Sequence, residues 1–208
     1  MSAPASQAEL LDKLQMGDRQ AFAELFSRHR DQLRKMLQFR MDRRLQARED
    51  PSDILQEIYI DGCQRIPHFI KKPELSFYVW LRQLATQRLI DVHRRHFTAE
   101  KRDIRQEVSL NKRRMASNST SMAIQLVAQM ASPSQMVMEA ELVRQIEDAL
   151  ETMDELDREV LAIRHFEDLR NSEVAEVLGI SEAAASNRYV RALTRLREVL
   201  QRAPGFFE

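Results

Sequence analysis

Asn171–Leu200 reads NSEVAEVLGISEAAASNRYVRALTRLREVL, two amphipathic runs joined by a tight turn. Val174, Ala175 and Leu178 mark the buried side of the first run. Gly179 ends it, because glycine takes a left-handed backbone there without steric cost. Ile180 is a small apolar plug, and Ser181 is a natural N-cap for the second run. Ala185, Tyr189, Ala192, Leu196 and Val199 or Leu200 then recur at spacings of three and four, which predicts an inward stripe. The opposite face carries Ala183, Ser186, Asn187, Val190, Arg191 and Thr194, flanked by Arg188 and Arg195. Short side chains near the helix start permit close approach to base edges, and Asn and Arg can read them. A helix-turn-helix has this layout, with its second helix lying in the major groove of DNA. Many helical hairpins with an Arg-rich outer face are only solvated. Here the Gly-Ile-Ser turn, the short side chains after the cap and the basic second helix coincide.

Working outward, the 208 residues contain few glycines and prolines and are rich in charge, an all-helical composition. No stretch is apolar enough to cross a membrane. Met1–Ala8 lacks a basic start followed by an apolar run, so no secretory signal is expected. The single Cys63 cannot form an intrachain disulfide, and a cytoplasmic location is the simple expectation. Lys+Arg and Asp+Glu balance at 32 each, yet the charge is segregated. Arg82 to Arg114 carries ten Lys/Arg against four Asp/Glu, whereas Glu139 to Glu176 carries four Arg against thirteen acids. The basic block suits a nucleic-acid backbone. The acidic block is either solvated or turned toward a basic protein.

The expected organisation is all-α, with two small helical domains, 1–98 and 135–208, joined by a flexible linker, 99–134. Ala8–Leu45 reads as helix broken at Gly17-Asp18. Asp50-Pro51-Ser52-Asp53 starts a helix whose apolar stripe is Ile54, Leu55, Ile58 and Tyr59. Pro67–Glu74 reads as a loop, with Phe69 and Ile70 unusually apolar for one. Ser76 caps a helix running through Trp80, Leu81, Leu84, Ala85, Leu89 and Val92 into the basic cluster His93-Arg94-Arg95-His96. Thr98 to Pro133 is basic, then polar, and reads as a tether that is partly disordered when alone. Ser132-Pro133-Ser134 opens the second domain.

Three motifs together resemble the extracytoplasmic-function (ECF) sigma factors of bacterial RNA polymerase. Asp53-Ile54-Leu55-Gln56-Glu57-Ile58-Tyr59 is similar to that family's Asp-x-x-Gln-Glu-x-Phe/Tyr helix. Phe77-Tyr78-Val79-Trp80-Leu81, Ala85 and Asp91-Val92-His93-Arg94-Arg95 resemble its Phe-x-x-Trp-Leu helix. Leu156-Asp157-Arg158-Glu159-Val160-Leu161 through Arg197 resembles its C-terminal module. The ordered set is far more specific than any one motif.

The resemblance implies sigma region 2 at the front and sigma region 4 at the rear. Asp53, Gln56, Glu57 and Ile60 share one side of their helix by spacing, and in the family the matching positions dock on core polymerase. Phe69, Lys71 and Lys72, with Gln87, Arg88, Arg94 and Arg95, become candidates for the opened minus-ten element, where unpaired bases are stacked and pocketed. Trp80 and Phe77 read more readily as core than as stacking groups. Ser186, Asn187, Val190 and Arg191 are candidate readers of a minus-thirty-five duplex. Arg164, Arg188 and Arg195 are candidates for its phosphates, with Arg188 and Arg195 equally suited to structural roles. The sequence departs from the family where Ala184-Ala185-Ser186-Asn187 replaces a frequent Thr-Val-Lys/Arg-Ser, so Ser186 lacks a usual positive charge. Core polymerase and promoter DNA are the implied partners, and an anti-sigma protein is a further partner that the acidic block would suit.

Two other classes compete. A stand-alone regulator would use the helix-turn-helix alone, leave Gln56-Glu57 and the basic Trp80 helix unexplained, and bind palindromic half-sites. An enzyme reading has only His93 and His96 as a metal pair, beside arginines and without further ligands. No Walker-type loop and no nucleophile–base pair is present, and no cofactor or metal is expected.

Overall fold

The structure is a computed structural model that describes residues 5–41, 43–71, 75–97, 119, 122–127 and 136–202. The described residues are helical with no strand, as the composition predicts. The chain divides into two units, Met1–Lys101 and Arg102–Glu208.

The first unit contains α1 (Gln7–Gln15), α2 (Arg19–Arg40), α3 (Arg43–Gln46), α4 (Pro51–Lys71) and α5 (Phe77–Phe97). Ser6 and Glu9 form a reciprocal capping box on α1. The break expected at Gly17-Asp18 is present. Gly17 takes φ +89°, and the Asp18 carboxylate accepts from the Gln20 amide at 2.8 Å to start α2. Helices α2, α4 and α5 pack around Leu25, Leu33, Leu37, Ile58, Val79, Leu81 and Ala85, none of which retains measurable exposure. Phe22 of α2 is the aromatic hub, within 5.4–6.4 Å (ring centroids) of Phe26, Tyr59, Phe77 and Trp80. Its ring lies on the bare backbone of Gly62, where a Cβ would come within 2.5 Å of Phe22 Cζ.

The expected loop at Pro67–Glu74 is corrected in part, because α4 continues through Pro67 to Lys71. Proline removes one i to i−4 hydrogen bond. Cys63 and Pro67 both lie on the exposed side, so water can satisfy the carbonyl left without its partner. Phe69 fixes the last turn. It is 7% exposed, with its ring 4.8 Å from Trp80 and 5.7 Å from Phe77. Residues 72–74 lie outside the described residues.

The second unit contains α6 (Met136–Thr152), α7 (Glu155–His165), α8 (Asn171–Leu178) and α9 (Glu182–Arg202). Asp154 caps α7 through the Leu156 amide at 3.0 Å. Val160, Leu161, Ile163, Val174 and Ala185 are fully enclosed. Most of the expected linker lies outside the described residues. Of its described part, residues 122–127 are helical, and Met122, Ala123 and Val127 are buried. The Ser119 hydroxyl accepts from Arg158, which also donates to the Leu150 carbonyl. Met122 lines a cleft of about 440 Å³ with Leu156, Arg158 and Ala162. This part of the tether is therefore docked on the second unit.

Candidate nucleic-acid interface

The turn between α8 and α9 is built as its residues dictate. Gly179 adopts φ +63°, ψ +35°, and the Ile180 amide returns to the Ala175 carbonyl at 3.0 Å. The Ser181 hydroxyl accepts from the Ala184 amide at 3.1 Å. Asn171 Nδ2 donates to the Glu182 carbonyl at 2.8 Å, tying the start of α8 to the start of α9. Ala185, Ala192 and Leu196 face inward. The side chains of Val199 and Leu200 lie outside the described residues.

The outer face of α9 is open along the line read from the sequence. Ser186, Asn187 and Arg195 are exposed, Val190 is 59% exposed, and the Arg191 side chain is 61% exposed. Arg188 is different, because its guanidinium is clamped to α7. Nη1 lies 2.6 Å from Asp157 Oδ1 and 3.0 Å from Asp154 Oδ1. The Asp157 hydrogen bond holds that guanidinium above its usual pKa. Of the two roles open to Arg188, the geometry takes the structural one. Arg164 is also engaged. It stacks over the Tyr189 ring at 5.1 Å and donates to the Leu169 carbonyl at 3.2 Å, bracing α9 against α7.

On the first unit, Asp53, Gln56 and Ile60 lie exposed on one face of α4, with Ile60 at 56%. Glu57 turns partly away from them, toward α5. Its Oε2 is 3.5 Å from Arg88 Nη1 and 3.9 Å from Arg95 Nη2. Arg88 Nη2 also pairs with Asp61. The expected phosphate role of Arg88 therefore competes with a structural one, because this side chain bridges α4 and α5. Arg88→Met should lower the thermal stability of the first unit by about 1–3 kcal/mol by orphaning Asp61. Weakened DNA binding with an unchanged melting temperature would return Arg88 to the DNA-contacting set.

Phe69 is corrected, since its ring is enclosed by Phe77 and Trp80 and presents no face to a base. Lys71, Arg94 and Arg95 are exposed; Lys72 lies outside the described residues. Gln87 is exposed and donates to Asp91 at 3.2 Å. It lines a groove of about 580 Å³ with Arg65, His68, Trp80, Gln83 and Leu84. Arg65, His68 and Gln83 were not singled out in the sequence. The three-residue spacing of Arg65 and His68 and the four-residue spacing of Gln83 and Gln87 are the signals that could have found them. His96 pairs with Glu49 through Nε2, and among the described residues no three His, Cys, Asp or Glu side chains converge to hold a metal.

A family model described as "ECF sigma factor" matches residues 4–202. The chain belongs to the ECF sigma factor family. The match runs through both units, which a regulator using the helix-turn-helix alone does not require. The sigma factor is 24% identical over 193 residues to the ECF RNA polymerase sigma-E factor of Haemophilus influenzae, covering 92% of this chain and 94% of that one. It is 24% identical over 191 residues to the ECF RNA polymerase sigma factor SigW of Bacillus subtilis, covering 92% and 95%. A solved structure of CnrH in complex with the cytosolic domain of CnrY superposes with a TM-score of 0.51 at 21% identity, over 92% of this chain and 95% of that one. At that identity the likeness speaks for the fold. As a sigma factor the protein is not an enzyme. It acts in transcription initiation by binding RNA polymerase and DNA. Among the described residues no helix is long and apolar enough to cross a membrane.

Proposed function

We propose that this sigma factor divides its work between its units. The exposed Asp53–Gln56–Ile60 face of α4 docks on core polymerase. The Gln87 groove, with Lys71, Arg94 and Arg95, takes the opened minus-ten strand. The outer face of α9 reads a minus-thirty-five duplex through Ser186, Asn187, Val190 and Arg191, with Arg195 on the phosphates. The protein works in the cytoplasm, where core polymerase is. The observation that carries this reading is the pairing of a left-handed Gly179 and a capping Ser181 with an exposed face on α9.

Base extrusion costs a few kcal/mol, which the groove and the polymerase together supply on binding. A polar, partly apolar groove beside a half-buried Trp80 suits an unpaired base better than the enclosed Phe69 ring does. Run-off transcription with purified core polymerase tests the whole scheme. Promoter-dependent transcripts are expected only when this protein is added. Transcripts of equal yield without it would end the proposal.

A further inference from the structure

Asp157 lies in the first turn of α7, and its side chain is only 5% exposed. A carboxylate is favoured at a helix N-terminus, yet the capping role there already belongs to Asp154. Asp157 instead turns both oxygens to the groove-facing helix. Oδ1 takes Arg188 Nη1 at 2.6 Å, and Oδ2 faces Arg191 Nε at 3.4 Å. Arg188 also pairs with Asp154, and the two arginines together balance the two carboxylates, so Asp157 is not an uncompensated charge against incoming phosphates.

Arg191 is thus ion-paired to Asp157 through Nε while most of its side chain, 61%, remains exposed to solvent. We propose that Asp157 is a positioning residue for duplex readout, holding the Arg191 fork in the orientation that meets a base edge. This inference rests on the reading of α9 as the groove helix.

The physical need is plain. An arginine side chain carries about 2 kcal/mol of rotamer entropy, and a two-pronged contact with guanine demands a planar fork at a fixed angle. Restraint before binding removes part of that ordering cost. Among the candidate readers Ser186, Asn187, Val190 and Arg191, only Arg191 has such a fork.

The test uses the full chain with core polymerase on a promoter library randomised across the minus-thirty-five element, reading preference at each position. Arg191→Ala identifies the base pair that Arg191 reads. Asp157→Asn is expected to flatten preference at that same pair by about tenfold and to leave other positions alone. Asp157→Asn added to Arg191→Ala should cause no further loss. Asp154→Asn keeps the cap and touches only Arg188, so it should retain the wild-type preferences.

A uniform loss across all sequences in Asp157→Asn, or no change, overturns the positioning role. Unchanged preference everywhere in Arg191→Ala overturns the groove reading itself, and the inference with it. A measurement on the unaltered protein guards against misfolding of the Asp157 variant. The Arg191 Nε–H order parameter should stay above about 0.6, and a value below it, that of a flexible group, overturns the restraint.

Discussion

Gln56→Ala combined with Ile60→Glu is expected to weaken association with core polymerase by about a hundredfold while leaving the first unit folded. The size follows from how interfaces concentrate their energy. A few central side chains each account for about 2 kcal/mol or more, and 2.7 kcal/mol is a hundredfold. Ile60 is a large apolar group held in solvent at 56% exposure, one turn from the exposed Gln56. A carboxylate at position 60 would have to be desolvated against a partner built for an apolar group. Neither side chain supports the core, so the melting temperature should move by no more than about 1–2 °C. Glu57→Lys is a poorer probe than the family motif suggests. It would set a third cation beside Arg88 and Arg95, so lost binding would not separate docking from disruption of the α4–α5 bridge. A binding titration of labelled sigma factor against core polymerase gives the answer, and wild-type affinity in the double variant rejects this face.

The helix-turn-helix was legible because its determinants are local. Gly179, Ile180 and Ser181 each act on backbone within a few residues, and the Ala185, Ala192, Leu196 stripe is a simple period. The Gly17-Asp18 break and the Ser76 start, where the Val79 amide reaches the Ser76 hydroxyl at 3.4 Å, were readable for the same reason. The end of α4 was not. Pro67 is a strong local stop signal, and what overrides it is a slot for Phe69 formed by Phe77 and Trp80 on the following helix. The arginines show the same limit. Arg88 and Arg188 look like DNA-contacting cations in sequence, but their acids, Asp61 and Asp157, lie 27 and 31 residues away. Charge blocks counted along the chain cannot reveal pairs made across helices. Asp157 was read only as part of an acidic run and of the C-terminal motif, while packing makes it a buried partner of two arginines.

Phe22→Ala is expected to destabilise the first unit by about 3–5 kcal/mol, the usual cost of emptying a buried aromatic site. Against a total stability of about 5–15 kcal/mol, that is about a fifth or more of what holds the unit together. The ring touches all three main helices, through Phe26 on its own helix, Tyr59 on α4, and Phe77 and Trp80 on α5. Its loss therefore loosens the α4–α5 pairing that shapes both the Gln56 face and the Gln87 groove.

Gly62 makes the argument testable without relying on a large deletion. Ala at position 62 should gain about 1 kcal/mol of helix propensity. It should lose about 1–3 kcal/mol by driving a methyl into the Phe22 ring, so Gly62→Ala alone is net neutral to destabilising. Phe22→Leu alone leaves a void over Gly62. Together the new methyl faces the space the ring has vacated, and the double variant should be more stable than the two single changes predict, by about 1 kcal/mol. Denaturant unfolding of the four proteins measures that coupling directly. Additivity within about 0.3–0.5 kcal/mol would mean that the ring and the glycine do not share a site, and that the close packing of α2 on α4 is not what holds the Gln56 face and the Gln87 groove in register.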